Sequence, residues 1–304
     1  MNRWKLVVLL LSSIAIGSYG CASAGRNEHA GGPRLFDDLG THSRPIAGLT
    51  PEAQRWFDQG LTWAYAFNHD EAIRSFEQAA RLAPAHPMPW WGVALCNGPH
   101  INNPFVPPDR AQAAWDALQQ ALSRVDAASP ADQALIRALA NRYAMPQPTN
   151  RRPLDEAYAD AMRSVWRRFP DDMDVGTLTA ESLMDLQPWD LWDAEGAPKG
   201  ATEEILQALE RVLSRAPDHP GANHLYIHAV EASPHPERGI AAADRLRTLV
   251  PASGHLVHMP SHIDVQTGRW ALAADQNVQA AEADRRYRAR RSTIGFSSLK
   301  PGMP

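Results

Sequence analysis

A pattern of aromatic, small and proline residues that returns about every 34 positions constrains this chain more than any other feature. Between Ala53 and His86 the unit carries Trp56, Gly60, Trp63, Ala72, Phe76, Ala79 and Pro84. Ile205, Leu209, Val212 and Pro217 repeat its second half, as do Gly239, Ala243, Leu246 and Pro251. Gly268, Ala273, Asn277 and Ala280 mark a last unit. The apolar positions recur with helical spacing and no strand alternation, which predicts helix throughout; the repeat family that this spacing resembles, named below, implies two helices per unit, with proline stopping the second. Weaker pairs fall at Trp90–Asn97 with Ala111–Leu122, and at Ala131–Tyr143 with Leu154–Arg168; Met173–Leu186 adds one more first helix. That makes six helix pairs over about 51–288.

The spacing closely resembles the tetratricopeptide (TPR) repeat. The resemblance implies an all-α fold, a TPR-type α–α solenoid wound as a right-handed superhelix, with one continuous core rather than two globules. Two connections inside pairs are longer than the repeat needs: Gly98 to Pro108 and Gln187 to Gly196. Their prolines exclude helix, and both leave a first helix at the same end, which predicts a wall or lid on one face.

The chain has 304 residues, 21% charged, with a formal net charge of −4. No basic footprint for nucleic acid is present. Two cysteines exclude a disulfide framework and a Cys-based zinc or iron–sulfur site. Arg3 and Lys5 precede the apolar run Leu6–Ile16, which is too short to span a bilayer and fits an export signal. Gly17-Ser18-Tyr19-Gly20-Cys21 resembles a lipoprotein cleavage site, with Cys21 the lipid acceptor; Ala22-Ser23-Ala24 offers ordinary secretion instead. The expected layout is a signal over 1–20, a flexible tether over 21–50, the solenoid over 51–288 and an irregular tail over 289–304. The expected place is the cell envelope, on a membrane anchor or free in the periplasm.

Twelve histidines occur, and seven fall between His219 and His262. The TPR architecture lines its concave groove with the second, fifth, ninth and twelfth places of each first helix. Counted from Pro217, these places hold His224, His228 and Glu231; counted from Pro251, they hold His255, His258 and His262. The spacings i, i+3 or i+4, and i+7 agree independently. Residues seven apart stand about 10 Å apart along a helix, too far for one ion. Neighbouring helices about 10 Å apart allow imidazoles to meet between them, so His224 is expected to face His258, and His228 to face His262.

Neutral imidazoles suit zinc first, with copper or iron as alternatives, and five histidines suffice for two ions. Glu231 then serves as edge ligand, as a partner behind the ligands, or as the catalytic base of a hydrolase. Counted from Pro170, Glu181 falls beside His228, and His100 reaches toward the groove from the first long loop. Pro260, between His258 and His262, predicts a kink or a helix start. His219 and His235 read as ordinary loop residues, and Cys96 as a buried small hydrophobe. The competing function is a non-catalytic scaffold that grips a peptide or envelope protein in the same groove.

Four stretches carry a closer resemblance: Tyr65–Ala72, Leu186–Asp193, Asn223–Glu231 and Gly254–Ile263. They are similar to a group of exported bacterial TPR proteins, over about residues 50–285. The resemblance implies the fold and supports the histidine site, but names no reaction. Proteins of that group run on through further helix pairs, so this chain reads as truncated within its solenoid.

Overall fold

The structure is a computed structural model that describes residues 33–292. The export signal, Cys21 and the tail beyond 292 lie outside the described residues. Six antiparallel pairs follow one another: α1 (Pro51–Tyr65) with α2 (His69–Leu82), α3 (Pro87–Cys96) with α4 (Pro108–Leu122), and α5 (Pro130–Leu139) with α6 (Arg152–Arg168). Then come α7 (Met173–Met184) with α8 (Thr202–Arg215) and α9 (Pro220–Val230) with α10 (Ile240–Leu249). The last first helix is split into α11 (Gly254–His258) and α12 (Pro260–Gln266), paired with α13 (Trp270–Ser292). The described residues form no strand. This is the TPR-type solenoid expected from the repeat.

The repeat residues pack as their sizes require. Phe76 of α2 is fully buried with its ring between Gly60 of α1 and Gly92 of α3. A Cβ at Gly60 would stand 2.8 Å from that ring, and one at Gly92 would stand 2.5 Å from it. Missing side chains thus let three helices close on one aromatic ring. Helix starts are built from an oxygen or imidazole cap followed by proline: Thr50-Pro51, His86-Pro87, Ser129-Pro130 and His219-Pro220.

Residues 33–50 correct the expected tether. Leu39, Arg44 and Ile46 are buried. The Arg44 guanidinium donates to Asp172 at 2.6 and 2.8 Å and to Asp132 at 2.8 Å, pinning the segment to the starts of α7 and α5. Glycine and proline content suggested flexibility, but one buried arginine met by carboxylates from distant helices fixes the chain.

At the other end α13 extends to Ser292 and returns to the beginning of the fold. Tyr287 stacks on Phe36 with centroids 5.8 Å apart and lies 5.4 Å from Trp63. Its hydroxyl donates to Glu71 of α2 at 2.7 Å. The last helix therefore touches the first pair.

Candidate metal centre

The site begins at the turn between α1 and α2. Phe67 N–H donates to the Ala64 carbonyl and Asn68 N–H to the Trp63 carbonyl, both at 3.0 Å. That is the Schellman termination, which normally puts glycine at the left-handed position. Here Phe67 occupies it, with φ of 55°. Trp189, in the second long loop, also has positive φ, at 62°. Among the described residues these are the only two non-glycine residues with positive φ. Each such residue costs about 1–3 kcal/mol.

Both strained aromatics lie against histidines. The Phe67 ring centroid is 4.4 Å from that of His224, 5.5 Å from His255, 5.1 Å from His100 and 6.2 Å from His228. Trp189 stands edge-on to His228 at 4.8 Å. Its indole N–H donates to the Ile101 carbonyl at 3.1 Å, so the two long loops meet over the groove as a wall. Trp192 secures the same loop by donating to the Ala229 carbonyl at 2.8 Å, one of the unpaired carbonyls at the end of α9.

Hydrogen bonds to the Nδ1 atoms orient the imidazoles. His224 Nδ1 donates to the Tyr65 carbonyl at 2.7 Å. His228 Nδ1 donates to Glu231 Oε1 at 2.9 Å, and His262 Nδ1 donates to Glu231 Oε2. A neutral imidazole carries one N–H, so each of these three presents a bare Nε2. His224 Nε2 and His228 Nε2 stand 3.1 Å apart, and His255 Nε2 lies 3.0 Å from His224 Nε2. His224 and His228 are buried and His255 is half-buried. Burial pushes the pKa of His224 well below its ordinary value, and neighbouring His255 and His228 push it further. Burial also lowers His228, against the pull of Glu231. Burial and then His228, His258 and His262 bring His255 down to about 3.

Glu231 faces two opposing effects. Burial raises its carboxyl, but hydrogen bonds from His228 and His262 outweigh that and bring it down to about 2. Both of its oxygens are engaged by imidazoles. Of the three roles left open by the sequence, this geometry fits the partner behind the ligands.

The expected facing of histidines needs correction. His224 meets His255, not His258, while His228 approaches His262 with centroids 5.7 Å apart and Glu231 between them. Pro260 is the reason. It lacks the N–H that would continue α11, so the helix restarts as α12, and His258 and His262 pair with each other, Nε2 to Nε2, at 2.9 Å.

Other sequence candidates lie around this centre. His100 faces His69 with ring centroids 4.2 Å apart, and burial lowers its pKa to about 4. The pair His69 and His100 lines a cavity of about 400 Å³ with Phe105 and Arg110. His69 had no place in the groove register because it opens a second helix, α2. Glu181 is half-buried on α7, where burial raises its carboxyl against the pull of Arg142; it does not join the histidine groups. Cys96 is buried, and burial pushes its thiol up. His235 is exposed beside Glu237.

His219 is a correction: it is buried, not an ordinary loop residue. Its Nδ1 accepts from Ala222 N–H at 3.2 Å and caps α9. Its Nε2–H then donates to Asp174 Oδ1 at 3.1 Å, where His42 Nε2 also stands at 3.1 Å and Tyr65 Oη donates at 2.7 Å. This second histidine–carboxylate group is satisfied by its own hydrogen bonds, and Tyr65 joins it to the first.

No protein-family profile matches the chain, and no curated protein does. Solved structures similar to it include two of MamA. One is a MamA double mutant (RS-1, ArsTM), 13% identical, covering 78% of this chain and 97% of that one with a TM-score of 0.36. The other is MamA from residue 41 to its end, from Desulfovibrio magneticus RS-1, 13% identical, covering 83% of this chain and all of that one with a TM-score of 0.31.

Proposed function

We propose that this chain is a metal-binding protein of TPR architecture whose groove holds a transition-metal ion on His224, His228 and His255, with zinc the first choice and copper or iron the alternatives. One observation carries the reading. His224 and His228 both direct an unprotonated Nε2 at the other across 3.1 Å, with His255 Nε2 beside them. Two lone pairs so placed repel unless a cation lies between them. Metal–nitrogen bonds of about 2.0–2.1 Å at angles of about 90–110° place ligand nitrogens about 2.8–3.4 Å apart. A proton is a poor substitute, because burial disfavours the charged form of both imidazoles.

Three nitrogen ligands leave coordination positions open, as in catalytic rather than closed structural zinc sites. We therefore read the reaction class as hydrolysis, with the ion supplying a Lewis acid. The chain's own residues do the rest. Tyr65 and Glu231 fix the imidazole tautomers, Phe67 and Trp189 keep water from one side, and the two long loops wall the approach. Export supports this setting: the segment Arg3–Ile16 fits an envelope location, and Cys21 a lipid anchor.

Capture of a peptide or envelope protein is the second reading, favoured by the exposed Phe105 and Trp189 on those loops. Metal analysis of the purified mature chain by mass spectrometry separates the two. One equivalent of metal that is lost in His224→Ala and in His228→Ala supports the site on these residues. Metal-free protein that still captures peptide supports the scaffold.

A further inference from the structure

A different pair of nitrogens carries a second site. His258 ends α11 and His262 lies in α12, across the break at Pro260. His258 Nδ1 is 2.8 Å from Asn277 Oδ1. The Asn277 amide cannot be turned round, because its Nδ2 donates to the Ala273 carbonyl at 2.8 Å. The oxygen therefore faces His258, and His258 Nδ1 must carry the proton; Ser261 Oγ, 3.3 Å away, is a second acceptor for it. Across the gap, His262 Nδ1 gives its proton to Glu231. Both Nε2 atoms are then bare, and they face each other at 2.9 Å.

Nothing within the pair relieves this opposition. Neutral imidazoles 2.9 Å apart are stable when one donates to the other, and both protons here are committed elsewhere. The remedy that keeps every hydrogen bond in place is a cation between the two nitrogens. We infer that His258 and His262 hold a second divalent cation, zinc-like in its preference for imidazole, next to the three-histidine site. Both residues are half-buried rather than sealed, so an added cation can reach them. Glu231 ties the two sites together, since one oxygen orients His228 and the other orients His262. The outcome is two neighbouring cation sites that share Glu231 as the partner behind their ligands.

The test uses the full mature chain, stripped with chelator and titrated with Zn²⁺ by calorimetry and native mass spectrometry, and with Co²⁺ by visible absorption. Wild type is expected to bind two equivalents. His258→Gln is expected to keep one, and Asn277→Ala to bind the second at least tenfold more weakly. Asn277 is exposed, so its variant reads the site without disturbing the core. Wild type that binds one equivalent, retained in His258→Gln, overturns the second site and leaves the first standing. One equivalent that is lost in His258→Gln but kept in His224→Ala sustains the second site and overturns the first. Two equivalents unaffected by either His258→Gln or Asn277→Ala overturn the assignment of these residues.

Discussion

The carbonyl of Tyr65 accepts the Nδ1 proton of His224 at 2.7 Å, across 159 residues of chain. The first helix pair thus sets the ring orientation of a histidine in the fifth. The same residue reaches the other way through its hydroxyl, which donates to the buried Asp174 at 2.7 Å. Backbone and side chain of one tyrosine serve two clusters, and they can be separated by mutation. Tyr65→Phe removes the bond to a charged acceptor and is expected to cost about 1.5–3 kcal/mol. It leaves the carbonyl in place, so the zinc stoichiometry should be that of wild type. Urea unfolding and metal titration on the same preparation check both halves; loss of metal without loss of stability would contradict the division of roles.

Acid should unfold the metal-free chain through its histidines. Burial lowers the pKa values of His69, His219, His224 and His228, and brings His100 to about 4 and His255 to about 3. An imidazole held below its free value of about 6.5 contributes stability that is fully present above that pH and is lost as pH falls toward the folded value. At one unit below the free value each such group costs at most about 1.4 kcal/mol. Glu231, brought to about 2, adds a further loss below the ordinary carboxylate value of 4.5. The urea midpoint of the apo protein is expected to fall steadily from pH 7 to pH 4.5, and His255→Asn should flatten the upper part of that slope. A midpoint independent of pH over this range would refute the account.

The helix pairs were legible because their evidence is local. Trp56, Gly60, Phe76 and Pro84 each report a size or a backbone limit within one unit, and the units repeat. The histidine stripe was legible for the same reason: i, i+4 spacing on one helix fixes a shared face. Partners across the groove were not. The facing of His224 with His255 depends on how Pro260 divides a helix, which spacing leaves open between a kink and a restart. Phe67 and Trp189 fall within stretches whose spacing says nothing of their backbone, since backbone strain has no signature in a single sequence. His219 reads as a loop residue because a capping imidazole leaves the same trace. Residues 33–50 read as tether because the aspartates that hold Arg44 lie at 132 and 172, beyond any local pattern.

The clasp around Phe76 makes a prediction that separates helix propensity from packing. Alanine favours a helix interior over glycine by about 1 kcal/mol. At Gly92 the added Cβ would meet the Phe76 ring at 2.5 Å, and the ring is itself held by Gly60 on the opposite side. Overpacking of that kind costs about 1–3 kcal/mol, so Gly92→Ala is expected to destabilise despite the better propensity. Combining it with Phe76→Leu, which shortens the obstructing side chain, should recover part of the loss. Thermal unfolding of the two single variants and the double variant reads the coupling directly; additive effects would show that the ring is not the obstacle.

Trp189 allows strain to be set against function at one position. Its left-handed backbone costs about 1–2 kcal/mol that glycine would not incur, while the buried half of its ring, 54% exposed overall, contributes about 2–3 kcal/mol of packing. Against that relief also stands one hydrogen bond to the Ile101 carbonyl, about 1 kcal/mol. Trp189→Gly is therefore expected to destabilise the apo protein by a net of only about 1–3 kcal/mol. The same change removes the ring beside His228 and the link between the two loops, which opens the groove to water. Zinc release to an excess of chelator, followed by a colorimetric indicator, should be several-fold faster than in wild type. Release at the wild-type rate from the folded variant would mean that the strained tryptophan does not guard the histidines.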